Sequence, residues 1–113
     1  MFSKNADEAF AGVFKNSIQE TVAGIVGENP AKALLFHLNF PESADHPAEF
    51  SRKLRAVLLA GSPIIEVAII KRLWINIGMF SVHAEEPGSF EERVVRAKEL
   101  FSERQKHREV VAK

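Results

Sequence analysis

Leu58-Leu59-Ala60-Gly61-Ser62-Pro63-Ile64-Ile65 is the stretch that decides the fold of this chain. It stands between two segments of strongly helical pattern and separates them with a three-residue break. Glycine takes the left-handed conformation that ends a helix without a Cβ penalty. Serine caps a following helix, and proline suits that helix's first position. Gly61, Ser62 and Pro63 therefore read as a structural turn: stop, cap and restart of a helical hairpin or corner at mid-chain.

Working outward, apolar residues recur at helical spacing on both sides. Helix one is predicted from about Ala6 to Val26, with Phe10, Val13, Phe14, Ile18, Val22 and Ile25 as its inner stripe. Gly12 and Gly24 weaken it by about 1 kcal/mol each relative to Ala, and Gly27 ends it. Asn29-Pro30 reads as cap and start of helix two, which runs to Asn39. Pro41 disfavours helix at Phe40, so residues 40–45 form a loop. Helix three runs from Pro47, capped by Asp45 or His46, to Ala60, and buries Phe50, Leu54, Val57 and Leu58. Helix four spans Pro63 to Ile77 and stops at Gly78. Residues 79–88 connect it to helix five, and Phe80-Ser81-Val82 within them is too short to assign as a strand. Ser89-Phe90-Glu91-Glu92 has the spacing of a capping box, with Phe90, Val94, Ala97 and Phe101 as the stripe behind it. Arg104 and Arg108 stand where that stripe would continue, so residues from about 102 onward read as a solvated or frayed tail. The expectation is one all-α domain over residues 1–113, a compact bundle of about five helices around a very apolar central helix four.

Composition narrows the function. The chain has 113 residues with 15 Lys plus Arg against 15 Asp plus Glu, a balance with no general drive toward nucleic acid or anionic lipid. It has no cysteine, which excludes disulfides, thiolate metal sites and cysteine nucleophiles. The N-terminal residues are polar and acidic where a signal peptide is apolar, and the apolar runs fall short of a membrane span. A soluble, cytoplasmic protein is expected, with no membrane partner.

The residues that usually carry chemistry are scattered. His37, His46, His83 and His107 lack metal-ligand spacing and read as edge, cap, loop and tail residues. Glu85-Glu86 and Glu91-Glu92 flank a helix start, where acids complement the helix dipole. No phosphate loop or nucleophile signature is present, so no catalytic, cofactor-binding or metal residue is assigned, and the chain is not expected to be an enzyme. Helices three and four outline a helix-turn-helix, but such a motif needs a polar reading face. Helix four offers Glu66, Lys71, Arg72 and Asn76 at scattered angles. The basic residues of helix five alternate with acids and read as a solvated face. Nucleic acid is thus not the expected partner.

Three stretches resemble a known family: Lys32-Ala33-Leu34-Leu35-Phe36-His37-Leu38; Pro47-Ala48-Glu49-Phe50 followed by Leu54; and Gly61 through Ile64-Ile65-Glu66, Ile70-Lys71-Arg72-Leu73 and Gly78. Over roughly residues 10–101 the chain is similar to the small archaeal helical family called the Nitrosopumilus output domain. That pattern tends to have a second small residue after the mid-chain glycine, where this chain has Ser62-Pro63. The resemblance implies an all-helical output or interaction element in archaeal regulation, with no defined ligand or active site.

The leading expectation is a non-enzymatic regulatory or protein-interaction module that self-associates. Helix four leaves no broad face for water, so a twin subunit is expected to cover part of it. Trp74, Ile70 and Ile77 are the candidate interaction residues, with Trp74 as the anchor. The partner is then a second copy or another protein. The alternatives are a nucleic-acid-associated regulator using the basic residues of helix five, and a small-ligand sensor with a Phe- and Ile-lined pocket. A contiguous exposed apolar patch favours the first reading, a one-signed basic surface the second, and a closed apolar cavity the third.

Overall fold

A computed structural model describes the backbone over residues 2–79 and 88–112 and the side chains over 7–79 and 88–105. Its α-helices are α1 (Phe2–Val26), α2 (Glu28–His37), α3 (Pro47–Leu58), α4 (Ser62–Asn76) and α5 (Phe90–Ala112). Short 3-10 turns occupy Glu42–Asp45 and Leu59–Gly61. The fold is all-helical, with no strand among the described residues. Phe80-Ser81-Val82, His83 and Glu85-Glu86 lie outside them, as do the side chains of His107 and Arg108.

The core forms where the apolar stripes meet. Phe10, Phe14, Ile18 and Val22 of α1 are buried with Phe50 and Leu54 of α3 and with Phe90, Val94, Ala97 and Phe101 of α5. Five phenylalanines form a continuous chain through it: Phe101 to Phe10 at 5.8 Å between ring centroids, Phe10 to Phe14 at 6.3 Å, Phe14 to Phe90 at 6.1 Å and Phe90 to Phe50 at 5.9 Å. These separations suit offset and tilted aromatic pairs. The expected stripes overreach at their ends, because Ile25 and Val57 are exposed.

One face of α4 enters this core through Ile65, Ile69, Ile70, Leu73, Trp74 and the following Ile77. Trp74, Ile70 and Ile77 were expected at a subunit interface. They are 1%, 1% and 6% exposed in the single chain, so its own helices already cover them. Two of the scattered polar residues of α4 also have local explanations. Glu66 faces α3, where Ser51 Oγ donates to its carboxylate and Arg55 lies 3.9 Å away. Asn76 Nδ2 donates to Ser17 Oγ and Glu20 Oε1 of α1, both at 2.9 Å. The polar residues that interrupt the apolar pattern at these two positions are struts to neighbouring helices.

The mid-chain turn differs from its expected form. Gly61 has φ −80° and ψ −15°, ordinary right-handed values, and occupies the cap position of α4. The residue with positive φ is Leu59, at 51°. Ser62 belongs to the first turn of α4 and makes no capping hydrogen bond. The reversal occurs two residues before the glycine because α3 ends at Leu58, leaving Leu59 to redirect the chain with its side chain in solvent. A second cap also moves: α2 begins at Glu28 after Gly27, whose φ is 93°, so Asn29 lies inside the helix.

Two other helix ends match the sequence pattern. Ser89 N–H donates to Glu92 Oε1 at 2.8 Å while Glu92 N–H donates to Ser89 Oγ at 3.1 Å, the reciprocal pair of a capping box. At the end of α4, Gly78 has φ 81°. Met79 N–H bonds Trp74 O and Gly78 N–H bonds Ile75 O, both at 2.9 Å, which is the pairing of a Schellman motif.

The predicted tail is part of the fold through Arg104. Helix α5 continues to Ala112, and Arg104 Nη1 donates to Ile77 O at 2.9 Å and Gly78 O at 3.0 Å. An arginine in place of an apolar seam residue reads as solvated. Here it reaches across to carbonyls that a helix end leaves unpaired, and its charge complements the negative end of α4.

Candidate functional site: the outer face of α4

Helix α4 is apolar on two sides. The inner side is the core stripe. The outer side carries Ile64, Val67, Ala68 and Ile75, apolar at i, i+3, i+4 and i+11, with the charged Lys71 and Arg72 between them. Ile64 is 70% exposed and Ile75 55% exposed, and Ile25 at the end of α1 adds 49%. These are large aliphatic side chains left in water along one side of the helix, with Ile25 and Ile75 lining the same recess; clustered exposed apolar side chains of this kind mark interaction surfaces.

Two recesses make this surface concave. One of about 400 Å³ runs between α1 and α4, lined by Glu20, Thr21, Gly24, Ile25, Ala68, Lys71, Arg72 and Ile75. Another of about 510 Å³ lies beside it, lined by Pro63, Ile64, Val67, Ala68 and Lys71. They share Ala68 and Lys71, so the surface is continuous along the length of α4. Gly24 is the smallest lining residue, and a Cβ built there meets nothing within 4 Å. No intrachain neighbour accounts for glycine at that helical position. Thr21 lines the same groove at 6% exposure, and its hydroxyl has no hydrogen-bond partner.

The charges of this face are of one kind at its centre. Neither Lys71 nor Arg72 pairs with a carboxylate among the described residues. Several cations elsewhere are engaged: Lys15 with Asp45 at 3.1 Å, Lys98 with Asp7 at 3.6 Å, Lys53 with Glu49 at 3.9 Å. Glu20 is the carboxylate in the groove, and Asn76 already donates to it.

Other titratable groups do not converge on a chemical centre. Among the described residues no group of three or more His, Asp or Glu could hold a metal ion. His37 is exposed beside Phe36, with ring centroids 6.0 Å apart, and His46 is exposed at the start of α3. The Glu92 carboxyl is held below the usual carboxylate range, first by the Ser89 backbone N–H and then by the Ser89 side chain. That is the signature of a cap. A groove of about 230 Å³ between α1 and α5 and one of about 270 Å³ between α3 and α5 are also open to solvent. No helix among the described residues is long and apolar enough to cross a membrane.

Trp74, Ile70 and Ile77, the interaction residues expected from the sequence, lie on the core side of α4, and Ile64 and Ile75 lie exposed on its other side. The signal for the outer stripe was present in the spacing of Ile64, Val67, Ala68, Lys71 and Ile75. It was hidden because a second stripe fills the opposite side, and two stripes together read as a helix apolar all round. Ile25, Thr21 and Gly24 join the surface through tertiary contact, and nothing local in the sequence marks them. No family model matches this chain, and neither curated proteins nor solved structures give a match.

Proposed function

We propose that this protein is a non-enzymatic interaction module: a five-helix bundle built on a very apolar α4, which docks a partner on that helix's outer face. The observation that supports the reading is the continuous, concave apolar surface from Pro63 to Ile75, extended by Ile25. A regulatory output role in an archaeal cytoplasm is the form of this function that the resemblance to the Nitrosopumilus output domain implies. Trp74 is not the anchor of that docking, because its side chain lies inside the chain's own core.

The alternatives have less behind them. Within α5, Lys98 pairs with Asp7 and Arg104 binds the end of α4, while Glu91, Glu92, Glu99 and Glu103 are exposed among the cations. That surface is mixed in sign, unlike the basic stripe of a nucleic-acid-binding face. The recesses are open grooves, whereas a small-ligand sensor buries most of its ligand.

Photo-crosslinking in cells tests the reading. A photoreactive amino acid is placed at Ile64 or Ile75, with Arg52 on α3 as the control position. Adducts from both α4 positions, mapped to a defined polypeptide segment and missing from the control, are expected. Equal labelling at all three positions, or none at Ile64 and Ile75, would sink the proposal.

A further inference from the structure

We infer that the occupant of the α1/α4 groove is an acidic amphipathic helix presented by another protein, seated over Gly24 and Ala68 with its carboxylates at Lys71 and Arg72. The inference rests on the interaction-module reading above and names the chemistry of its partner. Three properties of the groove specify it.

The first is shape. The groove lies between two helices, and its smallest lining residues, Gly24 and Ala68, come from opposite walls. Open space over Gly24 lets a third backbone approach where any larger side chain would stand in the way. Ile25, Ile64 and Ile75 rise around this low centre and give apolar contacts to anchors spaced i, i+3, i+4 and i+7 on the incoming helix.

The second is charge. Lys71 and Arg72 stand adjacent, exposed, and without a carboxylate partner among the described residues. Glutamates flanking the apolar stripe of a partner helix complement them and fix its register.

The third property weighs against the simplest alternative, a second copy of this chain. A two-fold axis at the midpoint between Ile64 and Ile75 would set Val67 against Arg72 and Ala68 against Lys71. A two-fold pair of α4 helices about that midpoint sets the two Lys71 residues about 5 Å apart along the helix axis. Like charges so placed repel. Glu20 is a single carboxylate and cannot neutralise both cations of the other copy.

The probe is a synthetic peptide of about 18 residues with Leu and Ile at i, i+3, i+4 and i+7 and Glu on both flanks, compared with the same peptide carrying Lys in place of Glu. Binding to the full chain is followed by fluorescence anisotropy. The Glu peptide is expected to bind with Kd on the order of 10 μM and to weaken as salt rises, with the Lys peptide at least about tenfold weaker. The double variant K71E/R72E should reverse that preference. Gly24→Leu fills the groove and should abolish binding while leaving the melting temperature equal or higher, because Gly is the poorer helix former. Several results would overturn the inference: equal binding of both peptides, a preference unmoved by K71E/R72E, or binding to anionic phospholipid vesicles without binding to the Glu peptide. So would a wild-type dimer in sedimentation that Gly24→Leu dissolves. Crosslinks from Ile64 and Ile75 to a segment poor in acids would remove this inference and leave the interaction module standing.

Discussion

The two ends of α4 carry a glycine each in the sequence, and the chain reverses at both, by different means. At the C-terminal end Gly78 takes φ 81°, completes a Schellman motif and leaves room for Arg104. At the N-terminal end Gly61 has right-handed angles, and Leu59 takes φ 51° and ψ −121° in its place. Positive φ is strained for a bulky residue. Leu59 adopts it with its side chain 71% exposed, so no burial is lost in the turn. The C-terminal glycine is required by geometry, while the N-terminal one is only permitted by it. Mutations at the two ends should therefore diverge.

The largest expected effect is at Gly78. An added Cβ lies 2.8 Å from Arg104 Nη1, so Gly78→Ala combines positive-φ strain with displacement of the guanidinium. The strain amounts to about 1–2 kcal/mol and the shifted guanidinium, the free end of a flexible side chain, adds up to about 1 more, giving a destabilisation of about 1–3 kcal/mol in urea unfolding. A cost below about 0.5 kcal/mol would mean that the two ends of α4 are alike after all.

Next comes the guanidinium itself. Arg104→Ala leaves the Ile77 and Gly78 carbonyls without their cross-chain donor and should cost about 1–2 kcal/mol. Combining it with Gly78→Ala should cost less than the sum, because both remove the same contact. Strict additivity in that cycle would show that Gly78 and Arg104 act independently.

The start of α5 supplies an intermediate case, a helix end whose cap is a reciprocal side-chain pair. Ser89→Ala should cost about 1 kcal/mol near neutral pH. The folded state lowers the Glu92 pKa. Its contribution is therefore complete above the usual carboxylate pKa and disappears as pH falls through the lowered folded value. Glu92→Gln should lose stability at neutral pH and flatten that part of the acid limb. An unchanged acid limb would remove Glu92 from the account of this cap.

These helix ends also show what was legible in the sequence. Periodicity located the core stripes of α1, α3 and α5, and Gly78 and Ser89 carried local signals strong enough to survive folding. Gly61 misled because glycine permits the left-handed conformation without demanding it, and the neighbouring Leu59 could take it at the surface. Arg104 misled for another reason. A cation at a seam position looks solvated in one dimension, and the carbonyls it caps are 26 and 27 residues away. The outer face of α4 was half visible. Ile64 and Ile75 lie on a pattern the sequence displays, whereas Gly24 and Thr21 reach the same groove only through packing of α1 on α4. The spacing could not say which side of α4 the core would take, since both sides are apolar enough to be buried.

The smallest expected effect is also the sharpest test of the comparison. At Gly61 the backbone has angles any residue accepts, and an added Cβ would come no closer than 3.9 Å to Leu58 Cβ. Gly61→Ala therefore loses nothing in the folded state and restricts the unfolded chain. A gain of about 0.5 kcal/mol in urea unfolding is expected. Leu59→Gly should also gain, by about the same amount, because relief of positive-φ strain exceeds the entropy glycine adds to the unfolded state. Two small gains at one end of α4, against a loss several times larger for the same Gly→Ala change at the other, is the pattern that follows from the geometry. A loss of 1 kcal/mol or more (on the order of the left-handed penalty) for Gly61→Ala would place the positive φ at Gly61 and make the two helix ends equivalent.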